Sequence, residues 1–254
     1  MICYYGLLCL VKVPPLNLLI GIFMTGSSAL FHSENKNAST PLVFILLGPP
    51  GSGKGTQAAL IKDQLQLPHI STGDLLRDNI RRETTLGNFA KTYMNKGQLV
   101  PDQVILDMLF DRVSGPDCFK GYILDGFPRT LAQAEALQVH LKGISDPVVI
   151  NLNLSNAEII ERLTNRFTCE TCGAPYNLIY FPPKKTGICN ICQGNLTQRN
   201  DDTQEIIEQR LKVYHKQTAP LIAFYADLKL LHSIDCRQSK ENVFAEIKSL
   251  INPT

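Results

Sequence analysis

The residue pattern with the clearest chemistry is Gly48-Pro-Pro-Gly-Ser-Gly-Lys-Gly-Thr56, which follows the apolar run Leu42-Val-Phe-Ile-Leu-Leu47. Glycines let backbone N–H groups converge on an anion with no Cβ in the way. A helix starting at the same point adds its partial positive charge. Lys54 can then reach the outer phosphates of a nucleoside triphosphate. Gly48, Gly53 and Lys54 fit the phosphate-loop spacing. The next residue is Gly55 rather than Ser or Thr, so the hydroxyl comes one place late, at Thr56. The competing reading is an ordinary glycine turn between strand and helix.

A second cluster is Cys169-x2-Cys172 and Cys189-x2-Cys192, with sixteen residues between the pairs. This is the spacing of a closed four-thiolate zinc site. Four thiolates leave no position for water, so such a metal is structural. Two disulfides or free thiols are the alternative. The other cysteines, Cys3, Cys9, Cys118 and Cys236, are scattered. Clustering of this kind favours a metal site in a reducing compartment over a disulfide framework. The segment between the pairs has few core residues, and metal binding supplies what its core lacks.

Cations make a third group: Arg129 after Gly126-Phe-Pro, then Arg162, Arg166, Arg199 and Arg210. Arg162 and Arg166 are four apart in an expected helix and share a face. Each alone reads as a solvated surface residue. Together they suit phosphoryl transfer, whose transition state spreads negative charge over equatorial oxygens. Asp125 closes an apolar strand near the phosphate loop, where a carboxylate can hold Mg2+ directly or through water. Such an Asp is as often a cap or turn residue. The five histidines match no metal or triad spacing and read as structural.

These groups need elements to hold them. The six residues 42–47 suit a buried strand, and 57–66 suit a helix. Asp74 or Thr72 can cap the helix suggested by Leu75, Leu76 and Ile80. Helices are expected over 87–96, 103–112 and 130–141, and strands over 121–125, 148–152 and 230–234. A capped helix is expected through 154–166, and a long helix over 203–226 that Asp201-Asp202 would cap. Strands alternating with helices argue an α/β fold with a parallel sheet covered on both faces. Ligands of such sheets sit at the carboxyl ends of the strands.

The chain of 254 residues holds one large domain or two small ones, with 44% hydrophobic residues for a core. A formal charge of +2 gives no global basic field that demands nucleic acid. Residues 1–31 carry two apolar runs, 2–11 and 16–24, parted by Pro14 and Pro15. Three readings compete for 1–40: an export signal or anchor, a disordered extension, or a start site further along at Met24 or beyond. The lack of Arg there argues against an organellar transit peptide. Residues 33–40 read as a polar linker.

Gly48–Thr56, Ser71-Thr-Gly-Asp-Leu-Leu-Arg77 and Leu124-Asp-Gly-Phe-Pro-Arg-Thr130 together resemble the adenylate kinases, and the resemblance spans about 42–254. The displaced hydroxyl at Thr56 is the form found in nucleoside monophosphate kinases. The resemblance implies the P-loop nucleoside monophosphate kinase fold: a five-stranded parallel sheet, an AMP-binding insert at 71–100 and a zinc-bearing lid at 165–202. The core is then 41–70, 101–164 and 203–254. It also implies the reaction MgATP + AMP ⇌ 2 ADP. Gly51, Ser52, Gly53, Lys54, Gly55, Thr56, Arg162, Pro175, Tyr176 and Gln238 would meet ATP. Thr72, Arg77, Gln98, Leu99, Val100, Gly126, Phe127, Pro128, Arg129, Gln133, Arg199 and Arg210 would meet AMP. Lys54, Arg129, Arg162, Arg166, Arg199 and Arg210 would carry catalysis. Asp125 would hold Mg2+ through bound water.

The resemblance further implies a cytoplasmic monomer that binds ATP, AMP and ADP, with no nucleic-acid or membrane partner for 41–254. Many members have a second arginine after the one at 166; here Phe167 stands there, which puts that lid contact in question. Asp201-Asp202 occupies the place of a lid hinge. Two other functions compete: a kinase for another monophosphate or donor, and a zinc-knuckle nucleic-acid-binding ATPase. Against the latter, the knuckle region is not markedly basic and lacks an evident stacking motif.

Overall fold

The computed structural model describes residues 40–251. The expectations for 1–39 lie outside the described residues. Strand β1 (Leu42–Leu47) is buried along all but its first residue. Its alternation sends Val43, Ile45 and Leu47 into one core and Phe44 and Leu46 into the other. A strand covered on both faces reads as an unbroken apolar run for this reason.

After β1 come α1 (Lys54–Leu65), β2 (His69–Ser71), α2 (Thr72–Arg81), α3 (Thr85–Met94), α4 (Asp102–Val113), β3 (Gly121–Asp125), α5 (Leu131–Leu141), β4 (Val148–Asn153) and α6 (Asn156–Thr164). The sheet is completed by β8 (Leu231–Asp235), in the order β2-β3-β1-β4-β8, with every pair parallel. The parallel sheet expected from the alternation is present, with the five strands that the resemblance implies. Because β1 is flanked by β3 and β4, the loop after β1 opens where the connections diverge to the two sides of the sheet. That is the usual ligand position in such sheets.

One face is covered by Leu109, Leu137 and Leu221, and the other by Ile61, Ile159, Ile207 and Ile247. Truncating a fully buried Ile of this kind to Ala costs about 2–5 kcal/mol.

A smaller antiparallel sheet is built from β5 (Arg166–Cys169), β6 (Pro175–Asn177) and β7 (Leu196–Thr197), in the order β6-β5-β7. Its buried cluster is only Cys169, Tyr176, Cys189 and Leu196. After it come α7 (Gln204–Val213), a π-helical turn over Tyr214–Thr218, α8 (Pro220–Asp227) and, beyond β8, α9 (Lys240–Ile251).

Several local expectations need correction. Ser71, not Thr72 or Asp74, caps α2, accepting from the Asp74 amide. Helix α6 ends at Thr164, so Arg166 belongs to β5 and does not share a helix face with Arg162. Ser155 and Glu158 form a capping box at the start of α6. Two reciprocal hydrogen bonds of that kind fix a helix start firmly. The long helix after Asp202 is interrupted by the π turn, and its N-cap is Thr203. Among the described residues no helix is long and apolar enough to cross a membrane.

Candidate active site

The loop after β1 turns through three glycines at positive φ: Gly48 at 137°, Gly51 at 82° and Gly53 at 100°. Side chains rarely adopt such values, which accounts for the glycines. Lys54 opens α1, and its Nζ donates to the carbonyls of Gly48 (2.9 Å) and Pro49 (2.8 Å). Burial chiefly, opposed by the Asp125 charge and aided by Arg129, Arg210 and Arg166, lowers Lys54 to about 8.

Asp125 ends β3, and its Oδ2 lies 3.3 Å from His69 Nε2. Burial pushes this carboxyl up, but the His69 hydrogen bond and the Lys54 charge outweigh it and hold the group below its usual value. A Cβ at Gly55 would stand 3.3 Å from Asp125 Oδ2. The glycine at the place of the usual Ser or Thr therefore leaves room for the carboxylate against the start of α1. A buried, ionised carboxylate beside a phosphate loop fits Mg2+ held through water. His69, read from sequence as structural, is a direct neighbour of this group.

The segment after β3 turns sharply. Gly126 has φ 74°, and a Cβ there would meet Arg129 Nη2 at 2.8 Å. The Phe127–Pro128 peptide is cis, and both residues are buried. The Gly126 carbonyl accepts from Thr72 Oγ1 and from Arg129 Nε, each at 2.8 Å. Thr72 and Arg129, expected to serve one substrate, are thus held on one acceptor. Thr218 in the π turn donates to the Arg129 carbonyl at 2.9 Å. Nothing in the sequence marked Thr218, although π turns gather at functional sites.

Gln133 lies in the first turn of α5, buried, with Oε1 accepting from the Arg129 amide (2.8 Å) and Nε2 donating to Asp102 Oδ1 (2.7 Å). Arg77 pairs with Asp74 at 2.6 Å. Gln98, Leu99 and Val100 connect α3 to α4; Val100 is buried, and the adjacent Gly97 packs on Ile206 and Arg210 of α7.

Asp202 is fully buried and gathers two arginines, with Arg166 at 2.7 and 2.6 Å and Arg210 at 2.9 Å. Asp201 also faces Arg210 at 3.2 Å. The expected capping role of this pair is not what the side chains do. Arg199 donates to Thr168 Oγ1 at 3.1 Å. Burial first, then neighbouring arginines, lowers both Arg129 and Arg199 to about 10. Cations drawn together in a poorly solvated place, each disfavouring the next, are built to receive a polyanion.

Arg162 stands apart from that group. It donates to the Cys236 carbonyl at 2.7 Å and lies 5.3 Å from the Tyr180 ring. The Tyr180 hydroxyl donates to Glu161 at 2.9 Å, and Lys240 sits 4.4 Å from the Phe181 ring. Gln238 is half-buried and bonded to Asp235 O and Glu246. Pro175 is exposed. Tyr176 needs a correction: its ring is buried in the small sheet's core, stacked on Phe181, with its hydroxyl 3.4 Å from Cys189 Sγ. Any nucleotide contact at Tyr176 is left to its backbone.

The four sulfurs of Cys169, Cys172, Cys189 and Cys192 all lie within 4.8 Å of one another. Tetrahedral Zn–S bonds of about 2.3 Å need sulfurs about 3.8 Å apart. The pairs Cys169–Cys192 at 3.4 Å and Cys172–Cys189 at 3.6 Å suit that geometry. The Ile191 amide donates to Cys189 Sγ at 3.4 Å, a contact that favours a thiolate.

The family model described as adenylate kinase matches residues 46–230. The chain is 48% identical over 210 residues to an adenylate kinase of Methanocella arvoryzae, covering 82% of this chain and 97% of that one. It is 50% identical over 209 residues to an adenylate kinase of Carboxydothermus hydrogenoformans, covering 82% and 98%. With an adenylate kinase of Archaeoglobus fulgidus the identity is 47% over 209 residues, covering 82% and 96%.

Proposed function

This chain belongs to the adenylate kinase family, and we propose how its own residues carry the transfer of a phosphoryl group from ATP to AMP. The observation that supports the reading best is the convergence of part-buried cations: Lys54 on the loop after β1, with Arg129 close by and Arg166 and Arg210 gathered on Asp202. An AMP phosphate oxygen attacks the γ-phosphorus of ATP, the bond to the β,γ-bridging oxygen breaks, and ADP leaves. No protein nucleophile or base is required. Catalysis is positioning plus charge stabilisation.

In this reading the residues Gly51–Thr56 bind the donor phosphates, and Lys54 leaves its loop carbonyls for the transferring group. Arg162 meets the donor from α6, with Pro175, the Tyr176 backbone and Gln238 lining the same nucleotide. Thr72, Arg77, Gly126–Arg129, Gln133 and the 98–100 backbone hold AMP. Arg129, Arg166, Arg199 and Arg210 neutralise charge that builds in the transition state. Mg2+ bound with ATP would supply further charge neutralisation, and Asp125 would hold it through water.

Residues 165–202 form a lid that excludes water, and the four cysteines hold one structural zinc there. Residues 71–100 form the AMP-binding insert. The domain 41–254 acts as a cytoplasmic monomer without nucleic-acid or membrane partners. The test is a coupled assay of ADP formation from MgATP with AMP, CMP, UMP and GMP as acceptors. AMP is expected to be preferred by at least about a hundredfold, as for a site that hydrogen-bonds its substrate. Preference for another monophosphate would overturn the AMP assignment.

A further inference from the structure

The amide of Gln133 can read a purine in two opposite ways. With Oε1 beside the 6-position it accepts from an amino group, while Nε2 donates to N1; this matches adenine. Flipped, it matches the 6-oxo group and N1–H of hypoxanthine or guanine. An unconstrained glutamine therefore discriminates poorly, and selectivity requires something that fixes the amide. Here both ends are tied to partners of unambiguous type. Nε2 donates to the carboxylate Asp102 Oδ1 at 2.7 Å, and Oε1 accepts from the Arg129 amide at 2.8 Å. A carboxylate only accepts and a backbone N–H only donates. A flip would set Oε1 against Asp102 and Nε2 against the Arg129 N–H. Gln133 is 2% exposed, so water cannot relieve that mismatch.

Asp102 is itself held. Its Oδ2 accepts from Thr130 Oγ1 at 3.0 Å, while the same Thr130 oxygen caps α5 by accepting from the Gln133 amide at 3.2 Å. Asp102 lies in the first turn of α4, where the helix dipole favours its charge. A closed ring of Asp102, Thr130 and Gln133 thus links the start of α4 to the start of α5. It leaves one lone pair on Oε1 and one hydrogen on Nε2 for a base.

We propose that Asp102 is a positioning residue for acceptor specificity: it locks the Gln133 amide in the orientation that accepts a 6-aminopurine and refuses a 6-oxopurine. This rests on the reading that Gln133 meets the acceptor base.

The test uses the full chain with Asp102→Asn, Asp102→Ala, Gln133→Leu and the double variant Asp102→Asn/Gln133→Leu. Steady-state kinetics are run with AMP, IMP and MgATP, alongside thermal melts. Asparagine at 102 offers a donor that welcomes the flipped amide. Asp102→Asn is expected to raise KM for AMP about tenfold and to cut the AMP-over-IMP preference in kcat/KM by at least about tenfold, with KM for MgATP unchanged. Asp102→Ala moves in the same direction. In the Gln133→Leu background the Asn substitution changes nothing further. An AMP-over-IMP preference within twofold of the parent in both folded Asp102 variants would overturn the proposal. So would a parallel rise in both KM values with preference intact, the mark of a structural role alone. A Gln133→Leu protein with normal KM for AMP and normal preference removes Gln133 from the base site, and the proposal falls with it.

Discussion

Arg166 and Asp202 meet in a two-point ion pair, Nε to Oδ2 at 2.7 Å and Nη2 to Oδ1 at 2.6 Å. The same carboxylate accepts from Arg210 at 2.9 Å, and its side chain is 0% exposed. One buried anion therefore aims two cations, one from β5 and one from α7. Asp202→Ala leaves both arginines without that partner. It is expected to destabilise the fold by about 3 kcal/mol, the scale for breaking a buried pair, and to lower turnover about a hundredfold. Denaturant unfolding and steady-state kinetics measure the two effects. Turnover within twofold of the parent would show that the pair does not orient the arginines for catalysis.

Lys54 donates to two carbonyls of its own loop. Substitution Lys54→Met keeps much of the stem and removes the charge. The expected loss in turnover is at least about a hundredfold with the fold intact. Near-normal turnover in a folded variant rules out the phosphate-loop assignment.

Lys54 also sets a pH dependence. Its ammonium titrates at about 8 in the free protein, lowered from 10.5 chiefly by burial. The charged form is the one that binds phosphate, so kcat/KM for MgATP is expected to fall as pH rises through about 8. In kcat the limb moves higher, because bound phosphates favour the ammonium. Lys54→Arg should remove the limb near 8. For stability the sign is the reverse. The folded state gives up this proton before the unfolded chain does, so raising pH from about 8 to 10.5 favours folding with respect to this group.

The four-cysteine cluster sits in a small sheet whose own core is four residues. Cys172→Ser is expected to lower the melting temperature, with the 165–202 segment opening before the rest, and to spare much of the turnover at low temperature. Metal analysis should find one zinc per chain in the parent. Less than about a tenth of a metal per chain, with all four thiols titrating freely, contradicts the site. Metal retained with turnover abolished in a stably folded variant would make the ion catalytic.

How far these features were legible follows from how local their signals are. The phosphate loop, the Gly126–Arg129 turn and the cysteine pairs are local patterns whose spacing favours one reading over its alternatives. Strands β1 and β3 were legible because burial on both faces leaves unbroken apolar runs. The role of Asp202 was not, since an Asp before a helix looks the same whether it caps or pairs. Arg162 and Arg166 have helical spacing, but the chain leaves the helix between them, at Asn165. Tyr176 lies beside a motif yet turns its ring into the lid core, which spacing does not reveal. The contacts of Thr218 with Arg129 and of Asp102 with Gln133 span 89 and 31 positions, and only the packing of helices brings them together.

In the proposed reaction the converged cations serve transfer from ATP to a nucleotide acceptor rather than to water. The direct measurement is the stoichiometry of ADP formed per ATP consumed by the full chain, with and without AMP. Two ADP per ATP are expected when AMP is present, and negligible ATP consumption without it. ATP consumption at an equal rate with and without AMP, releasing one ADP and one inorganic phosphate, would contradict it.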